Sequence, residues 1–86
     1  MIVSTPKYLV IQRYSISIKD FKKIKSMVKD IKIIYDIDDD LINHFKDDYN
    51  RVKTIKYFLI NSDIVTVSTN NLLLEYRHYN SNIMAP

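Results

Sequence analysis

The chain has 86 residues, 47% of them hydrophobic, with a net charge of +3, no cysteine and no glycine. One small domain or part of one is implied, burying about 60–65% of its unfolded surface. Disulfide staples, thiolate metal centres and glycine-rich phosphate cradles are excluded.

The apolar share is too high for a disordered tail. No apolar run reaches the roughly 18 residues that span a bilayer, and no signal-peptide pattern opens the sequence. The expected location is cytoplasmic, free or peripheral at the inner face of the membrane.

Residues 8–12 form a continuous apolar run of strand length that ends at Arg13. Ser17 and Asp20 then have the spacing of a capping box, with Asp in place of the usual Glu or Gln. Phe21, Ile24, Val28 and Ile31 follow at intervals of three and four, predicting an amphipathic helix with lysines on its wet face. Residues 32–37 predict a second strand, ending in aspartates. Leu41, Ile42, Phe45 and Tyr49 fit one or two loose helical turns. A clearer helix starts at Asp48 or Asn50 and runs to Ile60, with Val52, Ile55 and Leu59 on one face. Residues 63–68 predict a third strand. Ser68 or Thr69 caps a third helix, which turns Leu72, Leu73, Tyr76 and Tyr79 inward. Residues 82–85 begin a fourth strand.

Three strand–helix–strand passages in a row predict an α/β fold: a three-layer, Rossmann-like parallel sheet of about four strands with right-handed crossover helices. The strands do not alternate in polarity, which predicts burial on both faces. Because the sequence stops inside a fourth unit, the domain is expected to be incomplete and to span residues 1–86 as a single partial unit.

Charge is segregated. Six of the thirteen basic residues lie between positions 19 and 32, and six of the ten acidic ones between 36 and 48. A basic helix followed by an acidic turn is unlike a nucleic-acid surface, where the basic face is continuous and interleaved with aromatics. No nucleic-acid partner is expected.

In an open parallel sheet, ligands sit at the carboxyl ends of the strands. The second strand delivers Asp36, Asp38, Asp39 and Asp40 there, and period-2 alternation puts Asp36 and Asp38 on one side. Crowded carboxylates are eased by a cation, a helix N-terminus or a hydroxyl-rich ligand. The competing reading is a solvated loop that caps a helical turn. Arg13 reaches the same edge and is expected to form an ion pair, with Asp36 as one partner, or to meet a phosphate or sugar. Ser68 and Thr69 end the third strand there and serve as caps or as ligand hydroxyls. His44 lies four residues after Asp40, a helical spacing that could share a metal but needs further ligands. His78 is read as an exposed structural residue.

Together, Val10-Ile11-Gln12-Arg13, Tyr35-Asp36-Ile37-Asp38-Asp39-Asp40-Leu41, the stretch from Ser62-Asp63 to Ser68-Thr69, and Asn82-Ile83-Met84-Ala85-Pro86 resemble the N-terminal domain of a group of bacterial GT-B glycosyltransferases that build surface glycans. The order and spacing agree across nearly the whole chain. The resemblance implies a Rossmann-like half-enzyme whose cleft faces the acceptor, with Arg13, Asp36, Asp38, Asp39, Asp40, Ser68 and Thr69 as candidate substrate-binding residues. Nucleotide-sugar and glycan acceptor are then partners only when a second domain completes the cleft. That second domain holds the donor and a paired-glutamate motif in such enzymes, whereas Glu75 is the one glutamate here. No turnover is expected from this chain alone, and no cofactor.

Two other readings compete. Ile33-Ile34-Tyr35-Asp36-Ile37-Asp38 also resembles the first motif of haloacid-dehalogenase-like phosphatases, implying Asp36 as nucleophile, Asp38 as general acid and bound Mg2+. Against that resemblance, Asp39-Asp40 stands where Gly-Thr is usual. A thin α/β unit also suits a non-catalytic interaction module, through self-association or a partner chain.

Overall fold

The computed structural model describes residues 7–13 and 15–86. Strands and helices alternate along it: β1 (Lys7–Gln12), α1 (Ile18–Met27), β2 (Ile31–Ile37), α2 (Leu41–His44), α3 (Tyr49–Asn61), β3 (Ile64–Val67), α4 (Asn70–Tyr76) and β4 (Ile83–Met84). The four strands form one parallel sheet in the order β1-β2-β3-β4. This is the α/β, Rossmann-like arrangement that the pattern predicts.

Each helix begins where a side chain satisfies one of the free N–H groups of its first turn. Ser17 Oγ accepts from Asp20 N at 3.1 Å and Asp40 Oδ1 from Asn43 N at 3.3 Å. Asp48 Oδ1 accepts from Arg51 N, and Thr69 Oγ1 from Leu72 N, both at 3.2 Å. The caps at Ser17 and Thr69 and the helix start at Asp48 match the sequence reading, and the Asp40 cap matches its competing reading of the aspartates as a loop that caps a helical turn. Asp40 turns the ambiguous stretch after β2 into a single helical turn.

Burial alternates along the strands. Ile11, Ile33, Tyr35, Ile37, Val65 and Val67 point to one face and are buried against Phe21, Leu41, Ile55, Phe58, Leu59 and Tyr76 from the helices. Phe58 lies at the centre, its ring 5.5 Å from that of Phe21 and 5.4 Å from that of Tyr35. On the opposite face Tyr8 is 61% exposed, Val10 55% and Met84 49%. Among the described residues the helices therefore cover one face of the sheet, and neither the expected third layer nor burial on both faces is found. The reason is topological. Every crossover moves one strand further in the same direction, and crossovers of one hand then send every helix to the same side.

Ile31 also departs from its predicted place. Its spacing continues the helical pattern, but α1 stops at Met27 and Ile31 opens β2. Asp30 makes the intervening turn with φ of 62°, a left-handed conformation that glycine usually takes and Asp tolerates better than most residues.

The amino-terminal edge of the sheet is held by side chains on backbone. Asp63 Oδ2 accepts from Ile33 N at 2.7 Å while Asp63 N donates to Ile33 O at 2.9 Å, which extends the β2–β3 pairing. Lys25 Nζ lies 3.7 Å from the same carboxylate. Asn80 Nδ2 donates to Leu59 O and Ser62 O at 2.9 and 2.8 Å, and Asn82 Nδ2 to Asp63 O at 2.7 Å. No helix among the described residues is long and apolar enough to cross a membrane.

Ser62 is the exception to this economy. It is 6% exposed, and its hydroxyl has no hydrogen-bond partner. Burying an unpaired hydroxyl costs about 1–3 kcal/mol. Ser62→Ala should raise the urea midpoint, stabilising the chain by about 1 kcal/mol. A lower midpoint would mean that the hydroxyl is bonded after all.

Candidate functional site

The parallel register brings the carboxyl ends of the strands to one edge. Gln12, Asp36 and Thr66 stand side by side across β1, β2 and β3 on the uncovered face. They are bonded to one another: Thr66 Oγ1 donates to Asp36 Oδ1 at 2.7 Å and Gln12 Nε2 to Asp36 Oδ2 at 3.3 Å. Both carboxylate oxygens of Asp36 are thus occupied in fastening three strands together.

Asp38 stands one pleat further out. Arg13 Nη2 approaches Asp38 Oδ1 at 3.5 Å, so the arginine at the end of β1 meets Asp38, where Asp36 had been expected as a partner. Both side chains are more than half exposed, which makes the pair weak and easily exchanged for a ligand. Arg13 has φ of 56°, and the Tyr35 hydroxyl donates to its carbonyl. Tyr35 thus reaches from the buried face to bond the backbone of the turn that carries Arg13. Ser68 Oγ donates to Asp38 O at 3.1 Å, tying the end of β3 to the same loop.

Asp39 and Asp40 diverge from this group. Asp39 is exposed, and its Oδ1 accepts from Asp40 N at 2.8 Å. Asp40 turns toward the helices, where it caps α2 and accepts from the Tyr76 hydroxyl of α4. Ile42 N donates to that same hydroxyl at 3.4 Å. Thr69 is consumed as the cap of α4. Of the seven candidate residues, Arg13, Asp36, Asp38 and Ser68 converge, Asp39 adjoins them, and Asp40 and Thr69 are structural caps.

Two open depressions flank the loop after β2. One, of about 440 Å³, is lined by Asp36, Asp38, Thr66, Ser68, Met84 and Pro86 among others. The other, of about 320 Å³, lies between residues 38–40 and the start of α4, with Ser68, Asn71 and Glu75 on its wall. Among the described residues no three His, Asp or Glu side chains converge as a metal site requires. His44 stacks edge-on against Phe45 at 4.6 Å, and His78 lies 4.0 Å from the ring of Tyr79.

Sequence reasoning did not name Thr66 as a site residue, and it read Tyr76 as an inward-facing core residue without its bond to Asp40. Thr66 had a usable signal: each of the first three strands breaks its apolar run with a polar residue near its carboxyl end, and parallel pairing puts those breaks in one row. The pairing of Tyr76 with Asp40 had none, because it joins residues 36 positions apart. Comparison with protein-family models, curated proteins and solved structures gives no match to this chain.

Burial pushes the Tyr35 phenol well above its ordinary pKa, and burial together with the hydrogen bond to Asp40 does the same for Tyr76. Each phenol ionises in the unfolded chain near 10 but stays neutral in the fold, so the unfolded state holds fewer protons above that pH. Their stabilising contribution is complete below about pH 10 and is lost as the pH climbs through the raised native values. Urea unfolding should therefore show stability falling as the pH rises from about 10 to 12, with a shallower fall in Tyr35→Phe. An unchanged slope in that variant would refute the assignment.

Asp36→Ala removes both cross-strand bonds and leaves the Thr66 hydroxyl half-buried and unpaired. A loss of about 1–3 kcal/mol is expected in the same assay, with Asp36→Asn costing less because it keeps the acceptor for Thr66.

Proposed function

We propose that the chain is the acceptor-side, Rossmann-like part of a glycosyltransferase that moves a sugar from a nucleotide-sugar donor to a glycan or other surface acceptor, and that it is inactive alone. One observation carries this reading. The Gln12-Arg13, Asp36 to Asp40 and Ser68-Thr69 stretches, which carry the family resemblance, all come together at the carboxyl edge of the sheet, and the segment ending in Pro86 lines the same depression.

The chemistry suits a sugar. Asp38 and Asp39 present exposed acceptors, Arg13 an exposed donor and Ser68 a hydroxyl, so hydroxyl groups of a ring could both give and receive hydrogen bonds. The exposed Arg13–Asp38 pair is exchanged for such contacts at little cost. Catalysis requires a donor held against this edge with water excluded, which one open depression does not provide.

The Thr66 hydroxyl beside Asp36 favours a second reading, the phosphatase, in which a hydroxyl on the neighbouring strand serves the nucleophile's site. The bracketing of both Asp36 oxygens by Thr66 and Gln12 weighs against it, since a nucleophilic oxygen must face the substrate.

Amide NMR titration separates the two. With N-acetylglucosamine, lactose and maltose as probes at tens of millimolar, the glycosyltransferase reading expects shifts confined to the amides around Arg13, Asp38, Asp39 and Ser68. Those shifts should vanish in Asp39→Asn combined with Asp38→Asn. An absence of shifts with all three sugars would sink it. Mg2+-dependent hydrolysis of p-nitrophenyl phosphate, abolished by Asp36→Asn, would install the phosphatase in its place.

A further inference from the structure

The uncovered face of the sheet has an internal symmetry. On β2 its residues run Lys32, Ile34, Asp36, with a cation at one end, an anion at the other and an apolar side chain midway. Val10 on β1 and Ile64 on β3 pair with Ile34, so an apolar row crosses the face at its centre. On β1 that row is flanked by Tyr8 on one side and Gln12 on the other.

We infer that this face is a homodimer interface, in which two copies stack sheet on sheet about a two-fold axis running along the row Val10, Ile34, Ile64. Parallel sheets are normally buried on both faces, and here Tyr8, Val10 and Met84 stand exposed on one. The pattern of charge says what covers it. A two-fold axis perpendicular to the strands reverses their direction in the second copy, so Lys32 of each copy lies over Asp36 of the other. Each of these residues is two positions, about 6.6 Å, from the axis row, so one operation matches both pairs. An axis parallel to the strands would instead put Lys32 on Lys32 and Asp36 on Asp36. The antiparallel stack also sets each Tyr8 over a Gln12, where the phenol finds a polar partner, and the apolar row meets itself. Isologous contact of one patch with its own copy is the commonest form of protein self-association.

The face spans only three strands and part of a fourth, at the low end of interface sizes, so the dimer is weak and concentration-dependent. This inference does not depend on the sugar reading, whose exposed acceptors lie beyond the row, at Asp38 and Asp39.

Sedimentation velocity of the full chain from micromolar to millimolar concentration tests it. A reversible monomer–dimer equilibrium is expected. Lys32→Glu, which sets two like-charge contacts in place of two opposite ones, should raise the dissociation constant at least about tenfold. The residue is exposed, and an unchanged circular dichroism melt would confirm that the fold is intact. Because the chain has no cysteine of its own, Val10→Cys should be crosslinked between copies by a short bis-maleimide, whereas Ser26→Cys on the helix layer should not. A monomer at every concentration would overturn the inference. So would a dimer indifferent to Lys32→Glu, or one crosslinked through Ser26→Cys.

Discussion

The structure depends on the direction in which its strands are added. β2 lies beside β1, β3 beside β2 and β4 beside β3, with no reversal, so the connecting helices all collect on one face. A doubly wound sheet changes direction part-way and sends its helices to both sides. Without that reversal, odd and even positions of each strand have opposite fates. Ile33, Tyr35 and Ile37 enter a core with Phe58 and Leu59, while Lys32, Ile34 and Asp36 face outward. A two-layer core is thin, and aromatic rings fill it. Phe21, Tyr35, Phe58 and Tyr76 supply large buried areas with few rotatable bonds, and truncating a ring such as Phe58 removes about 3–5 kcal/mol.

That division also explains why four neighbouring aspartates have four different surroundings. Alternation places Asp36 and Asp38 on the outer face, and the end of the strand then releases the chain. Asp36 is still within the sheet and is fixed by the strands on either side. Asp38 is past the last paired residue, where Arg13 can reach it. Asp39 meets only its own loop, and Asp40 begins a helix. Mutual repulsion is relieved by this divergence, with no need for a shared cation. A run of identical residues in a sequence is therefore poor evidence for a shared chemical role.

Much of the fold was legible because local chemistry and global fold agree. The Ser17 cap, the apolar spacing from Phe21 to Val28 and the short β-branched runs each specify an element without help from distant residues. Two misreadings have a common cause, namely that tertiary structure decides them. Ile31 fits the helical spacing, but Asp30 turns left-handed before it. The helical turn expected after the aspartates is found at Leu41–His44, where Asp40 caps it and Tyr76 from another helix bonds Asp40. Burial on both faces was inferred from apolar runs at Val10 and Ile34, positions that are apolar and yet uncovered. For the site, the edge was legible and the pairings were not. Arg13 meets Asp38 at a turn whose carbonyl is bonded by the Tyr35 hydroxyl, a contact across 22 positions that no spacing rule contains.

The two edges of the sheet use their polar residues differently. At the amino-terminal edge Asp63, Asn80 and Asn82 are all spent on backbone groups of neighbouring segments, which closes the ends of α3 and β2. At the carboxyl edge Asp36 is fastened between strands and Asp40 and Thr69 cap helices, while Arg13, Asp38 and Asp39 carry contacts that water or a ligand can replace. This asymmetry follows from how a parallel βα unit is built. The chain enters each strand from a helix end whose carbonyls need donors, and leaves it toward a helix start whose N–H groups need acceptors. Side chains are recruited at both places, Asn80 where α3 ends and Asp40 and Thr69 where α2 and α4 begin, and the residues between strand end and cap are left over. In this chain the leftover groups are Arg13, Asp38 and Asp39, and any ligand of this edge has to be recognised by them.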